Sequence, residues 1–286
     1  MSNSVTLTAG IRQNLFSLQG TQGLLEQTQG RLATGKRVQT ALDDPINFFA
    51  AQGHQQRAND LSGRKAEMGE AVQTVKAANN GIDAITTLIE SAKSLANSAL
   101  SADTTTEASD LGSQFNTILD QIDTLAADSG YKGINLLNGT GVSLAVKFDE
   151  KGDSSITLTG FNGTSGQAGS GLGISDATTG ADSVYWADAS DVSTGAINAA
   201  ISNLDDAITT LRSESKTLAS NLSVITARQD FTSSMINTLE DGAADLVNAN
   251  MEEESANMLM LQTRQSLGIS SLSMASQASQ SILRLF

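Results

Sequence analysis

Residues 197–231 read INAAISNLDDAITTLRSESKTLASNLSVITARQDF. Ile197, Leu204, Leu211, Leu218 and Ile225 return at every seventh position, Ile201, Ile208 and Leu222 fill intervening fours, and Thr232, Leu239 and Leu246 carry the register on. An α-helix turns once in about 3.6 residues, so this spacing draws an apolar stripe down one side of a long helix that begins near Thr194. A stripe of that length has to be covered. Its natural partner lies upstream, between Leu61 and Leu100, where Met68, Val75, Ile82, Ile89 and Ala96 hold one heptad position and Ala71, Ala78, Ile85, Ala92 and Ala99 the other. At 1.5 Å per residue that second helix is roughly 60 Å long, which suits a rod better than a small globule. Asp44-Pro45 marks the start of this region, a capping carboxylate ahead of a proline at the first helical position. Asn79-Asn80-Gly81 lowers helix propensity inside the run, yet the heptad passes through it, which predicts a continuous helix with a weak spot.

A shorter helix is expected over Ala108–Asp128 from Leu111, Phe115, Ile118, Leu119, Ile122 and Leu125, closed by Ser129-Gly130. Asn138-Gly139 then turns the chain. Val142, Leu144, Val146 and Phe148 alternate, residues 149–153 turn, and Ile156 and Leu158 alternate again, which reads as a β-hairpin. From Gly160 to Asp191 the composition suits short strands and surface loops. Tyr185-Trp186 is the aromatic spot there, and packing of a small β element explains it better than a solvent-side platform.

The two ends combine helical spacing with very little charge. Between Met1 and Gly30 only Arg12 and Glu26 are charged, while Ile11, Leu18, Leu25 and Leu32 recur at seven with Leu15 between the first two. Ser255–Phe286 carries only Arg264 and Arg284. A solvated helix keeps a charged face, so these ends are suited to being surrounded by protein.

The 286 residues are 39% hydrophobic and 4% aromatic, lean for one compact core, and a single proline leaves helices uninterrupted. A net charge of -14 argues against nucleic acid and anionic membranes as partners. No run approaches a membrane span, and the N-terminal residues hold no basic region followed by a continuous apolar stretch, so a Sec-type signal is not expected. There is no cysteine and a single histidine, His54, so thiol chemistry, a histidine metal cluster and a histidine triad are out of reach. Asp43-Asp44 reads as a cap rather than an acid/base couple. Glu252-Glu253-Glu254 reads as a solvated or subunit-facing band, because adjacent helical positions point apart. Gly169–Gly173 lacks the lysine of a phosphate loop. Neither a metal nor a cofactor is expected.

Several blocks resemble bacterial flagellin, and most of all the alphaproteobacterial type. Near the start they are Asn14-Leu15, Arg31–Val38, Asp43-Asp44-Pro45 and Arg57–Leu61; near the end, Asn248–Met251, Glu254-Ser-Ala256, Leu261-Gln-Thr263 and Ala278–Phe286. The resemblance implies a mainly α protein: coiled-coil terminal arms (1–42 and 247–286), an antiparallel helical rod (43–138 and 192–246) and a small outer β region (139–191). It implies a filament subunit for swimming motility, exported unfolded by the flagellar type III route. Implied partners are further copies of the chain, the flagellar cap, hook-filament junction proteins and an export chaperone. Ile11, Leu15, Leu18, Leu25, Leu32, Arg31, Lys36, Arg37, Glu252, Glu253, Glu254, Leu272, Ile282, Leu285 and Phe286 are the expected assembly residues. Arg31, Lys36 and Arg37 are expected to meet the acidic stretch Asp230–Glu254 within or between subunits. The arms are expected to be largely disordered in the monomer. Ile89–Leu95 aligns with the innate-receptor stretch of activating flagellins but puts Ser91 and Ser94 at its arginine and glutamate positions, which implies a weak agonist. A junction protein, or an adhesin on the same scaffold, is the alternative.

Overall fold

The structure, a computed structural model, describes residues 9–166, 171–177, 186–187 and 191–283, except for the side chains of residues 9, 279, 282 and 283. Among the described residues five helices, α1 (Ala9–Thr34), α2 (Pro45–Leu100), α3 (Thr105–Asp128), α4 (Thr194–Val247) and α5 (Met251–Leu283), enclose in sequence the strands β1 (Ser143–Lys147) and β2 (Ser155–Thr159). The chain divides into two compact units, one of residues 1–56 with 238–286 and one of residues 57–237. The unit borders, after residues 56 and 237, fall inside α2 and α4, whereas the domain bounds that the resemblance implies, near residues 42 and 247, lie at loops.

In the unit of residues 57–237, the ten heptad positions from Met68 to Ala99 on α2 are at most 3% exposed. Ile197, Leu204, Leu211, Leu218 and Ile225 of α4 are equally buried. Lys93 Nζ reaches Asp205 at 2.5 Å and Ser215 Oγ donates to Asn79 at 3.3 Å, so α2 and α4 run antiparallel in steady register. Phe115, Leu119 and Ile122 bring α3 onto the same core. Thr104 caps α3, accepting from Glu107 N. Asn79-Asn80-Gly81 does not break α2, and Gly81 has a packing reason. A Cβ there would lie 2.7 Å from Ser129 Cβ and 3.0 Å from Leu137, so glycine lets the end of α3 close onto α2.

The hairpin is antiparallel, with Val146 opposite Ile156 and Leu144 opposite Leu158. Val146, Phe148 and Leu158 are buried in the helical core. Trp186 is buried with its ring 4.7 Å from Phe115, so packing accounts for it; Tyr185 lies outside the described residues. Ser165 N donates to Asp123 at 2.6 Å and Ala177 N to Asn116 at 2.8 Å, which ties the described part of 160–177 down along α3.

Candidate assembly surface

The unit of residues 1–56 and 238–286 is built on α1 and α5. Arg31 Nη1 meets Glu254 Oε1 at 2.9 Å, Gln265 Nε2 donates to Gln22 at 2.8 Å and Asn14 Nδ2 to Ser271 at 3.2 Å. Each pair sums to nearly the same number, so the two helices are antiparallel. Where they meet the intervening loop, Gly35 ends α1 in the left-handed region (φ +69), its N–H returning to Arg31 O at 2.8 Å. Ala249 N then donates to Gly35 O at 2.9 Å, and Arg37 N and Val38 N donate to Val247 O. Asn250 accepts from Glu252 N at 3.1 Å and caps α5. Glu252, Glu253 and Glu254 therefore occupy the first turn, where the helix dipole favours anions.

The shared seam uses Ile11, Leu18, Leu25 and Leu32 at one heptad position, as spacing predicts, but Asn14, Thr21 and Thr28 at the other. Leu15 is not in it. One residue past the seam position, it stays 40% exposed. On α5 the inward positions are Glu254, Leu261, Gly268 and Ala275 with Gln265 and Leu272 between. Gly268 permits close approach: a Cβ there would fall 2.7 Å from Leu18 Cδ2. Thr21 and Thr28 are buried polar side chains, and Thr21 Oγ1 bonds back to Ser17 O at 2.9 Å. A half-polar seam fixes register but drives pairing weakly.

Of the three basic residues, Arg31 pairs with the buried Glu254, and losing either partner would strand a charge at a cost of about 1–3 kcal/mol. Arg37 Nη2 donates to Leu246 O at 3.1 Å, and Lys36 pairs through its backbone with Asn248 while its side chain stays exposed. Glu252 and Glu253 face away from the seam, exposed. Leu272 is half-buried in it; the Ile282 side chain, Leu285 and Phe286 lie outside the described residues.

The opposite faces are apolar as well. Phe16 and Leu24 on α1, and Leu259, Met260, Leu267 and Met274 on α5, are exposed. At 100° per residue the four α5 residues cluster roughly opposite the seam. Spacing analysis centred on one stripe per helix missed this second stripe, although Leu259, Leu267 and Met274 are seven to eight residues apart in the sequence. It also missed Leu42, Ile46 and Phe49, exposed at the loop and first turn of α2. In that loop Asp43 Oδ2 accepts from Gln39 N and Thr40 N, and Asp44 Oδ1 from Asn47 N, and these backbone bonds hold both carboxyls below their ordinary value of 3.8. The cap reading of Asp43-Asp44 matches this geometry.

Among the described residues no group of three or more His, Cys, Asp or Glu could hold a metal ion, and no helix is long and apolar enough to cross a membrane. Paired terminal helices, apolar inward and outward, define a class of protein: a helical subunit whose terminal helices keep an uncovered apolar face. Residues 8–141 match the family model for the bacterial flagellin N-terminal helical region, and residues 201–286 that for the C-terminal helical region. The chain is 30% identical to flagellin FljM of Caulobacter vibrioides over 99% of its own length and 98% of that protein's. It is 28% identical to a flagellin of Brucella melitensis, over 100% and 98% of the two chains. The crystal structure of Bacillus cereus flagellin aligns with a TM-score of 0.45 at 15% identity, covering 58% of this chain and 88% of that one. The chain belongs to the bacterial flagellin family, a family of structural and not enzymatic proteins, and is a self-polymerising structural subunit of the flagellar filament.

Proposed function

We propose that this subunit leaves the cell unfolded through the flagellar export apparatus, with a chaperone as partner, and adds to a filament bounded by junction proteins and a cap. On this reading α1 and α5 fold fully only on joining other copies. The observation that carries it is the two-sided character of that pair: its seam is half polar, while Phe16, Leu24, Leu259, Met260 and Leu267 remain exposed. Ordering two helices costs roughly 1–2 kcal/mol per residue of backbone entropy, which a half-polar seam offsets poorly until the outer faces are covered too.

Caulobacter vibrioides has several flagellins similar to this chain, among them FljM, FljO and FljK, so a single deletion is a poor test. The chain should instead be expressed as the sole flagellin of a strain stripped of its others. Electron microscopy should then show long extracellular filaments on hooks. Hooks ending in a short collar would point to the junction protein, and bare hooks with secreted protein to an adhesin. In purified monomer, amide exchange over 261–283 should be fast; slow exchange there would remove the folding-on-assembly part.

A further inference from the structure

Leu42 is 95% exposed, Ile46 81% and Phe49 60%, three large apolar side chains within one loop and the helical turn that follows. Their backbone is not loose. Asp43 Oδ2 accepts from Gln39 N at 3.0 Å and Thr40 N at 2.9 Å, Asp43 N donates to Thr40 O at 3.1 Å, and Asp44 Oδ1 accepts from Asn47 N at 3.1 Å. Apolar side chains held outward on a stapled turn lose little freedom when covered, which is how binding anchors are made. The same loop exposes Lys36 and Arg37, and among the described residues neither forms a salt bridge.

The outward side of α5 has the reciprocal pattern. Glu252 and Glu253 are exposed at its first turn, likewise outside any salt bridge among the described residues, and Leu259, Met260 and Leu267 continue the same side. One surface sets cations beside an apolar anchor; the other sets anions beside an apolar stripe. We propose that Leu42, Ile46 and Phe49 of one copy seat on the Leu259–Met260 side of α5 in a second copy, with Lys36 and Arg37 against its Glu252 and Glu253. Because the two surfaces differ, the contact is heterologous, so each copy offers both halves and the series stays open, as a helical polymer requires. The inference rests on the chain's self-polymerisation and adds which surfaces meet.

The chain contains no cysteine, so an introduced pair reports cleanly. Full-length Leu42→Cys/Leu259→Cys protein, polymerised and treated with a short bifunctional maleimide, should run as a ladder of covalent multimers under denaturing conditions. The same protein below its polymerisation concentration should stay monomeric, and each single variant should give no ladder. A second readout needs no cysteine: Lys36→Glu/Arg37→Glu should raise the polymerisation concentration at least about tenfold, and adding Glu252→Lys/Glu253→Lys should return it toward wild type. Filaments without a ladder, a link closing within one chain, or no rescue would overturn the contact while leaving the filament role intact. Wild-type protein that forms no filament would overturn the polymerisation beneath it.

Discussion

The α2–α4 seam and the α1–α5 seam share a seven-residue period, yet they are different interfaces. In the first, heptad positions carry Met, Val, Ile, Leu and Ala and are almost completely buried. In the second, Asn14, Thr21, Thr28, Gln265 and Gly268 alternate with leucines, several of them only half covered, and large apolar residues stay on the outside. Burial of a Leu or Ile side chain is worth roughly 1.5–3 kcal/mol, so the first seam can hold its helices together unaided. The second sets register and leaves much of its apolar surface exposed. Periodicity tells where a helix is covered; composition tells how firmly.

The sharpest way to break this comparison is to cut one anchor from each seam. Phe115→Ala opens a void in the core of residues 57–237 and should lower monomer stability by about 3–5 kcal/mol, read from the urea midpoint. Leu25→Ala removes the most buried leucine that α1 contributes to its seam, yet it should leave that same transition in place and show itself as a higher polymerisation concentration. If both variants shift the monomer transition equally, the two regions fold as one and the contrast is gone.

Glycine substitutions probe a smaller effect with a built-in control. A Cβ at Gly20 or Gly23 would meet nothing within 4 Å, so Gly20→Ala or Gly23→Ala should stabilise α1 in the assembled filament by the full propensity difference, about 1 kcal/mol each. Gly268→Ala gains the same propensity but pushes on Leu18, so it should gain distinctly less. Far-UV circular dichroism on melting ranks the three. Equal gains would mean that α1 and α5 do not close on each other as described.

Acid gives the smallest change, and its sign follows from the capped loop. Asp43 and Asp44 are held below 3.8 by backbone donors, so the stability they lend is present above that value and is lost as pH falls through their lower folded values. Protection of the Gln39, Thr40 and Asn47 amides, taken as the exchange rate relative to the intrinsic rate at the same pH, should therefore fall below pH 3.8 while the α2–α4 seam holds. Unchanged protection there would sink the staple.

Where apolar side chains alone decide burial, the sequence was legible. Met68 through Ala99, Ile197 through Ile225 and the alternation of the hairpin were placed by spacing, because each element has one face to hide. Leu15 stands 40% exposed beside Asn14: period counting prefers the larger apolar side chain, while the helix phase gives the seam position to its neighbour. Glu254 was grouped with Glu252 and Glu253, yet only one of three consecutive helical positions can face the seam, and the partner that identifies it, Arg31, is 223 residues away. Gly81 looked like a flaw in α2 because the atoms that need its missing side chain, on Ser129 and Leu137, are far along the chain.

Trp186 is the chain's single tryptophan, and it lies sealed against Phe115 within the core of residues 57–237. The molecule therefore carries a built-in optical probe that reports on one of its two units only. Its fluorescence should stay blue-shifted through any loosening of α1 and α5 and turn red only when the core around α3 admits water. A red shift recorded as filaments come apart would mark the moment at which the core of residues 57–237 itself gives way and the subunit becomes a thread.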